Sequence, residues 1–184
     1  MTSLKGHLLV ATPQLVAPIF TRSVILMLEH SEEGAAGVVL NRPTEATVAA
    51  IAEQVFDEPS DWQKAILLGG PVPGPVLVLH GVEELADQTI LPGVFTTAEA
   101  SKVRELVRRK AEPALTVANY AGWSGGQLEG ELESGSWVTL PARPALVFWE
   151  GTDDLWEVVM KEYNGRRLTD MLGIRGLPDD PRAN

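Results

Sequence analysis

One pentapeptide of the sequence has the spacing of a nucleophile elbow. Residues 122–126 (Gly-Trp-Ser-Gly-Gly) fit the pattern Gly-x-Ser-x-Gly and join a predicted strand to a predicted helix. In hydrolases with this elbow, the acid and the histidine follow the serine along the chain, whereas here all three histidines precede Ser124. Such hydrolases are also normally larger. Ser124 also suits a helix cap, so a small serine hydrolase using Ser124 is kept as an alternative hypothesis.

The three histidines, His7, His30 and His80, do not have the spacing of a metal site. The sequence contains no His-x-x-x-His pair and no cysteine, so we predict neither a metal nor a cofactor. Glu29 and His30 are adjacent, so on a strand their side chains point to opposite faces. A single histidine at a strand end is more often structural than a ligand, and we favour that interpretation of His30.

Two further pairs of polar residues could contact a ligand. Gln127 and Glu131 are four residues apart and share one face of a predicted helix, although a solvated polar stripe explains them better. Asn41 and Arg42 close a predicted strand before Pro43 and a helix, and anions often bind at such junctions. Turn geometry alone also accounts for this segment.

A glycine- and proline-rich loop follows one predicted strand. Residues 69–75 (Gly-Gly-Pro-Val-Pro-Gly-Pro) invite a phosphate-loop interpretation. The loop lacks the Gly-Lys-Ser/Thr ending, and its three prolines remove backbone donors that would bind phosphate. It also leads into a strand rather than a helix, so we predict a rigid structural turn.

The strands that must position these residues are short apolar runs. Most are apolar throughout, which suggests burial on both faces. They are predicted at residues 8–11, 24–29, 37–41, 65–68, 76–80, 89–91, 93–96, 115–121, 137–140 and 146–150. Residues 32–34 (Glu-Glu-Gly) could close a hairpin between the second and third runs.

Capping residues predict four helices, and a fifth is allowed. They are a helix from Thr44 to about Phe56, one opened by Thr96 and Glu99 and reaching Lys110, one opened by Ser124 and Gln127 and stopping at Gly135, and one from Thr152 to Asn164-Gly165. The irregular order of strands and helices favours an α+β fold. We predict one domain over residues 1–184, with residues 165–184 less well defined and the tail at 177–184 frayed.

The composition limits which kinds of partner the protein is expected to bind. The chain of 184 residues carries 25 acids and 15 bases, a net charge of -10 that disfavours nucleic-acid binding. Its one basic run, within residues 102–110, is best explained as a solvated helix end. No stretch approaches the roughly 20 apolar residues of a membrane span. With no cysteine and no secretory signal, we expect a cytoplasmic protein.

An ordered set of segments between about residues 7 and 160 resembles the AlgH/YqgE family of small bacterial proteins. The set is specific as a whole, although each segment alone is weak. The segments are residues 8–15, 18–24, 29–30, 34–37, 41–43, 69–72, 120–123 and 126–129, with Glu131 and Trp137. Three positions depart from the usual pattern, with Ala17 in place of Asp, Ala36 in place of Met and Asn119 in place of Gly.

The resemblance implies a mixed α/β fold with a bent, partly barrel-like β-sheet surrounded by four or five helices. It implies no established enzymatic activity, cofactor or metal, and a regulatory role has been proposed for members. We therefore expect a noncatalytic regulatory domain that binds a small molecule or a protein. The polar residues inside the motifs are the predicted binding site: Arg22, Glu29, His30, Asn41, Arg42, Gln127 and Glu131. A DNA-associated regulator is a weaker alternative, because no two predicted helices are joined by a short turn.

Overall fold

The computed structural model describes residues 2–57 and 59–172, and within them eleven strands and five α-helices. The strands are β1 (His7–Ala11), β2 (Val24–Ser31), β3 (Gly34–Val39), β4 (Pro43–Thr47), β5 (Ala65–Leu68), β6 (Leu77–His80), β7 (Gln88–Leu91), β8 (Val94–Thr97), β9 (Ala114–Ala118), β10 (Ala121–Ser124) and β11 (Trp137–Pro141). The helices are α1 (Val48–Phe56), α2 (Ala100–Arg109), α3 (Gln127–Glu133), α4 (Pro144–Val147) and α5 (Leu155–Leu172). The tail predicted to fray, residues 177–184, lies outside the described residues.

The strands form two sheets. The first sheet has five strands in the order β10-β3-β2-β1-β11, all antiparallel. The second sheet has six strands in the order β4-β5-β9-β6-β8-β7, in which only the β5–β9 pair is parallel. A backbone hydrogen bond of 2.9 Å, from the Val39 amide to the Gly69 carbonyl, connects the first sheet to the end of β5.

Apolar side chains of both sheets meet in a shared core. Leu8 and Leu26 of the first sheet belong to the same buried cluster as Leu79 and Val117 of the second, and α4 and α5 complete it. The opposite face of the first sheet is covered by α3, whose Leu128 is buried there. The opposite face of the second sheet is covered by α1 and α2. Both faces of the inner strands are therefore buried, as their apolar sequences predict.

The α+β class is confirmed. The strands form two open sheets that do not close into a barrel, where the resemblance implied one bent, partly barrel-like sheet. Closure would require the strands at the sheet edges to pair with one another. Instead β10 and β11 end the first sheet, while β4 and β7 end the second.

Several predicted strands are confirmed, including the hairpin in which Glu32 and Glu33 join β2 to β3. The strand predicted at residues 146–150 was wrong, because Pro144 begins the short helix α4 there. Proline suits the first turn of a helix, where its missing amide proton has no partner to lose. Strand β4 was missed because its sequence, Pro-Thr-Glu-Ala-Thr, is polar and half-exposed at a sheet edge.

The helix boundaries also differ from the prediction. Thr47, rather than Thr44, caps α1, by accepting a hydrogen bond of 3.3 Å from the Ala50 amide. The end predicted at Asn164-Gly165 was wrong, since α5 continues through both residues to Leu172. Nothing lies within 4 Å of the position of a Cβ on Gly165, so this exposed glycine neither interrupts packing nor ends the helix.

The N-terminal end of helix α2 is capped by a side chain that lies outside the helix, that of Asp87. Thr96 lies in β8, so the predicted capping box of Thr96 and Glu99 does not form. The Asp87 carboxylate instead accepts hydrogen bonds from the Ala98 amide at 2.8 Å and the Glu99 amide at 3.1 Å. A hydrogen bond from Lys102, followed by those from the backbone and Thr97, holds the pKa of Asp87 well below its usual range.

Candidate functional site

The seven predicted site residues lie in two groups at opposite ends of β2. Arg22, Asn41 and Arg42 lie where β2 begins, whereas His30 lies near its end. Gln127 and Glu131 belong to α3, beside that same end. At about 3.3 Å per residue, an eight-residue strand separates the groups by roughly 25 Å. The structure does not bring the seven residues into one site.

Asn41 is a buried residue that connects two strands. Its Oδ1 accepts a hydrogen bond of 3.0 Å from the Val24 amide, and its Nδ2 donates one of 2.8 Å to the Arg22 carbonyl. Arg22 has a left-handed backbone conformation with φ of 56°, and Asn41 binds the carbonyl at this turn. Both polar atoms of the Asn41 side chain are therefore engaged by the fold.

The two arginines of this group contact neighbouring elements. Arg22 forms an ion pair with Glu157 of α5, and its guanidinium lies 4.7 Å from the ring centroid of Trp156. Arg42 donates to the Thr21 carbonyl, which ties it to the loop before β2. At this end of β2, Arg22 is therefore ion-paired, and Arg42 is hydrogen-bonded to the neighbouring backbone.

The second group is built around the Glu131 carboxylate. Its Oε2 accepts hydrogen bonds from the indole nitrogens of Trp123 at 2.9 Å and Trp137 at 2.8 Å. Its Oε1 accepts one from Gln127 Nε2 at 3.0 Å. The two tryptophans meet edge-on with ring centroids 6.1 Å apart, and Phe20 packs against both. We call Phe20, Trp123, Glu131 and Trp137 the tryptophan cluster.

Ser124 does not act as the predicted helix cap. Gly126 occupies the cap position of α3, and Gln127 Oε1 reaches back to accept from the Ser124 backbone amide at 3.1 Å. Only this half of the predicted capping box forms. The Ser124 hydroxyl is exposed and makes no hydrogen bond within residues 2–57 and 59–172. No base among these residues is therefore hydrogen-bonded to it.

His30 uses both of its ring nitrogens. Its Nδ1 accepts a hydrogen bond of 2.9 Å from the Leu4 amide, so its Nε2 carries the proton and donates to Glu129 Oε1 at 2.9 Å. Hydrogen bonds from the backbone and then from His30 lower the pKa of the Glu129 carboxyl. The His30 side chain is only 3% exposed and anchors the chain's first residues to β2 and α3.

A β-bulge decides which way Glu29 and His30 point. The register of β2 against β3 shifts between Met27 and Glu29, so that Glu29 lies opposite Ala36 and His30 opposite Ala35. Residues paired across strands share a face, so the shift turns His30 toward α3 and Glu29 away from it. Without the bulge, each side chain would face the other way.

On the face opposite α3, the ends of β2, β3 and β10 form an open groove of about 710 Å³. Its floor consists of the small residues Gly34, Ala36, Gly122 and Ser124, which the strand register places side by side. Its walls come from segments that are distant in sequence. The wall residues include Ser3, Lys5, Glu29, Glu33, Val72 and Tyr120. Of the predicted binding residues, Glu29 directs its side chain to this face, and His30 is among the lining residues although its ring is turned toward α3.

The glycine- and proline-rich loop forms one wall and serves a structural role, as predicted. Val72 and Tyr120 exchange two backbone hydrogen bonds of 3.0 Å. A Cβ on Gly70 would collide with the Tyr120 backbone, and one on Gly74 would press against the Tyr120 ring. The glycines thus allow the loop to close around Tyr120. Asn119, where the family usually has glycine, adopts a φ of 64°, which asparagine tolerates better than most residues.

Metal-ligating clusters and membrane-spanning helices are both absent from the part of the chain that the structure describes. Among residues 2–57 and 59–172, no cluster of three or more metal-ligating side chains is present. Within the same residues, no helix is long and apolar enough to cross a membrane.

The sequence analysis did not identify the structural roles of Glu129, Tyr120 and Asp87, because each acts through partners that are distant in sequence. Only the half-formed capping box around Gln127 carried a local signal.

The fold and the groove define a class: a two-sheet α+β protein with an open groove of mixed polar and apolar lining at one end of its first sheet. The profile of the AlgH-like family matches residues 8–167, and the chain belongs to that family. The resemblance inferred from the motifs between residues 7 and 160 is therefore confirmed.

Similar proteins agree with this assignment over most of their lengths. The UPF0301 protein of Streptomyces coelicolor is 36% identical, with 100% of this chain and 97% of the relative covered. The UPF0301 protein of Chlamydia abortus is 33% identical, with 88% and 87% covered. These names state no activity.

Two solved structures share the fold. The solution structure of the AlgH protein from Pseudomonas aeruginosa has a TM-score of 0.76 and 30% identity, covering 96% of this chain and 97% of that one. The crystal structure of a protein from Corynebacterium diphtheriae has a TM-score of 0.70 and 28% identity, covering 88% and 87%.

Proposed function

We propose that this AlgH-like chain is a noncatalytic regulatory domain of the cytoplasm that binds a ligand in the groove of β2, β3 and β10. The observation that carries the proposal is the groove itself, a concavity of about 710 Å³ built from four separate parts of the chain. Binding sites for small molecules commonly have volumes of about 300 to 1,000 Å³. The cysteine-free sequence suits a reducing compartment.

The lining of the groove suits a polar ligand. The small side chains of its floor let a ligand approach the strand backbones closely. Lys5 and the carboxylates of Glu29 and Glu33 supply charges of both signs at the walls, and Tyr120 supplies an aromatic surface. The ligand we propose is a small polar molecule or an extended segment of a partner protein.

The same geometry argues against catalysis. His30 is the histidine that lines the groove with Ser124, but the Leu4 amide and Glu129 engage both of its nitrogens. A general base must have a nitrogen available to accept the proton of the nucleophile. For His30 to serve Ser124, its hydrogen bond with the Leu4 amide would have to break.

A serine hydrolase remains the second candidate, favoured by the placement of Ser124 and His30 in one groove. A positioned serine and base would turn over a small ester such as p-nitrophenyl acetate. We expect no activity above that of a heat-denatured sample. Hydrolysis that is retained on purification and lost in Ser124→Ala would overturn the noncatalytic proposal.

Binding to DNA is disfavoured by charge and by the arrangement of helices. Among residues 2–57 and 59–172, no two helices are joined by the three- or four-residue turn of a helix-turn-helix. The groove itself carries Glu29 and Glu33 against Lys5. We expect no binding to duplex DNA even at low salt, measurable by fluorescence anisotropy.

A thermal-shift screen with a blocked variant tests the proposal. Ala36→Arg places a long side chain on the groove floor, while Ala50→Arg makes the same change at an exposed site of α1. A ligand present at a hundred times its dissociation constant stabilises by about 2.7 kcal/mol. We expect the screen to identify polar metabolites that raise the melting temperature of the wild type and of Ala50→Arg but not that of Ala36→Arg.

The protein-segment form of the proposal uses the same variants. A partner retained by immobilised wild type and Ala50→Arg, and lost with Ala36→Arg, would place that partner in the groove. Ligands or partners that bind all three proteins equally would contradict the proposal. Failure of every screened compound and every captured protein to discriminate the variants would contradict it as well.

A further inference from the structure

One edge of the first sheet opens into the groove. Strand β10 is the last strand of that sheet and pairs with β3 on its inner side. Gly122, in the middle of β10, is exposed and lines the groove. An edge strand can present backbone N–H and C=O groups that pair with another chain. The direction of the Gly122 backbone therefore determines what can bind at this edge.

Two neighbouring contacts show that the Gly122 backbone points away from β3. Tyr120 exchanges two backbone hydrogen bonds of 3.0 Å with Val72, which lies outside the first sheet. The Ser124 amide accepts no bond to β3 either, because it donates to Gln127 Oε1 at 3.1 Å. Backbone groups of alternate residues point to the same side of a strand. Gly122 lies between these two residues, so its N–H and C=O also point outward.

The register of β3 gives the same result. The amide of Leu40, directly after β3, donates to the Val24 carbonyl at 2.8 Å. Alternate residues of β3, which include Ala36, therefore direct their backbone groups to β2 rather than to β10. Ala36 is the residue paired with Gly122, so the two share no hydrogen bond. No other segment within residues 2–57 and 59–172 hydrogen-bonds to Gly122.

The open part of this edge is short. Val72 covers it beside Tyr120, and the Gln127 side chain covers the Ser124 amide. In a symmetric pair of β10 edges centred on Gly122, Tyr120 of one copy would have to face Ser124 of the other, but Val72 already occupies that place. The opening therefore suits a short extended segment of a partner better than a second copy of the chain.

A residue added opposite Gly122 would direct its side chain over the groove floor. Glu29, Ala36 and Gly122 are paired in register across β2, β3 and β10, so they share the groove face. Strands lie about 4.8 Å apart, which places the Glu29 backbone about 14 Å from an added chain. Because Ala36 and Gly122 are small, a long side chain can lie across them and reach the Glu29 carboxylate. The Tyr120 ring, 3.3 Å from the position of a Cβ on Gly122, flanks the same path.

The charges of the groove favour a cation on that side chain. Glu29 is exposed and forms no ion pair within the described residues. Glu33 is a second acid of the lining, against the single base Lys5. The net charge of -10 also attracts a basic partner. An arginine combines an apolar stem, which can cover the floor, with a guanidinium that pairs with a carboxylate through two N–H groups.

We propose that an extended, basic segment of a partner protein pairs with the outer edge of β10 at Gly122 and extends an arginine side chain across Ala36 to Glu29. Main-chain hydrogen bonds hold the segment, as in other cases of strand addition, and the contact with Glu29 selects the cation. This inference rests on the proposed function, because it states which kind of ligand occupies the groove.

A nuclear magnetic resonance titration of the labelled protein with acetyl-Thr-Thr-Arg-Thr-Thr-amide at low salt tests the inference. We expect saturable shifts of the Gly122 and Ser124 amide signals. The same peptide with citrulline in place of arginine should bind about tenfold more weakly, because it lacks the charge. The peptide methylated on the arginine backbone nitrogen should not bind, because it cannot donate to the Gly122 carbonyl.

Three variants assign the contacts. Glu29→Gln should weaken binding of the arginine peptide about tenfold and leave that of the citrulline peptide unchanged. Glu45→Gln removes the same charge from an exposed site of β4 and should have no effect. Gly122→Pro removes the outward N–H, a change that edge strands tolerate, and should abolish binding. If Gly122→Pro does not fold, the methylated peptide still tests the pairing.

Several results would overturn the inference. These are the absence of binding of the arginine peptide, equal binding of the methylated or the citrulline peptide, or equal losses in Glu29→Gln and Glu45→Gln. A dimer of the wild type that Gly122→Pro converts to a monomer would assign the edge to a second copy instead. Metabolites that discriminate Ala36→Arg while the arginine peptide does not bind would refute this inference and leave the proposed function in place.

Discussion

The tryptophan cluster and the cleft between helices α1 and α2, which we call the helix cleft, differ in how much apolar surface they leave accessible. The walls of the helix cleft include Val48, Ile51, Phe56, Val103 and Val107. Both regions lie where helices cover the outer face of a sheet. In the tryptophan cluster, the Glu131 carboxylate accepts hydrogen bonds from Trp123, Trp137 and Gln127, so both of its oxygens are engaged within the fold. Beside the helix cleft, Arg104 and Arg108 are exposed. Residues of the family motifs in the tryptophan cluster stabilise the fold, whereas the helix cleft leaves apolar surface accessible.

The comparison predicts different contributions to stability. A polar group that satisfies buried donors is expensive to remove, because those donors lose their partners. The interactions of an exposed cation are screened by solvent and contribute little to folding. Substitutions in the tryptophan cluster should therefore lower stability more than substitutions of the exposed cations beside the helix cleft.

The largest effect is expected for Glu131→Ala. It leaves two indole N–H groups without acceptors, in tryptophans that are only 7% and 2% exposed. We expect the free energy of unfolding to fall by about 3 kcal/mol, measured by urea denaturation. Glu133→Ala, an exposed change on the same helix, should stay within about 0.5 kcal/mol. Equal effects of the two changes would remove the distinction between the regions.

His30→Leu should have the next largest effect. The Leu4 amide loses its acceptor and Glu129 loses its donor, which we expect to lower stability by about 2 kcal/mol. Hydrogen exchange of the Leu4 amide should become at least tenfold faster. His7→Leu, whose ring makes only a 3.4 Å contact with the Lys5 carbonyl, is the control. Unchanged Leu4 protection would show that His30 does not anchor the chain's first residues.

Acid should destabilise the second sheet through His80. Burial lowers the pKa of His80 and outweighs the opposing influence of the Val82 amide, Asp87 and Glu84. Its Nε2 has no hydrogen-bond partner within the described residues. Because the folded pKa is below the unfolded value of about 6.5, this stability is complete above pH 6.5 and is lost as pH falls through the folded pKa.

Urea denaturation between pH 7.5 and 5 measures this loss. One proton contributes at most about 1.4 kcal/mol per pH unit. His80→Phe removes the titrating group and should flatten the profile relative to the wild type, although it also costs the 3.2 Å hydrogen bond from the Val82 amide. Parallel profiles for the two proteins would contradict the prediction.

The smallest effect on stability is expected at the helix cleft. Combining Arg104→Gln with Arg108→Gln removes exposed charge and the contact of Arg104 with Phe56, so unfolding should change by about 1 kcal/mol or less. Urea denaturation without ligand measures it. A loss of more than about 2 kcal/mol would make these arginines structural, and the two regions would no longer differ.

Local patterns predicted much of the fold because their physical causes are local. The apolar run that becomes β1 is buried on both faces, and Gly135 ends α3 with a φ of 75°, as the sequence indicates. Strand β4 escaped prediction because only its pairing with β5 defines it. Likewise, α5 passes Gly165 because its N-terminal half is fixed by buried contacts such as those of Leu155 and Val159.

The candidate sites depended far more on tertiary contacts. Glu29 and His30 were correctly expected to face opposite ways, but the bulge in β2 determines which of them faces the groove. The basic run on α2 was predicted to be a solvated helix end, and Arg104, Arg108 and Arg109 are indeed exposed. The ion pairs of Lys102 with Asp87 and of Arg109 with Glu84 were not predicted, because their acidic partners lie elsewhere in the chain.

By itself, the sequence determined the α+β class, the acidic surface, the family and most of the strands. These follow from composition, residue order and short-range periodicity. The tertiary structure decided that the motif residues separate into two groups, that Glu131 joins two tryptophans, and that α1 and α2 enclose a cleft. Each of these features is a contact between residues far apart in the chain, and strand register and helix packing set such contacts.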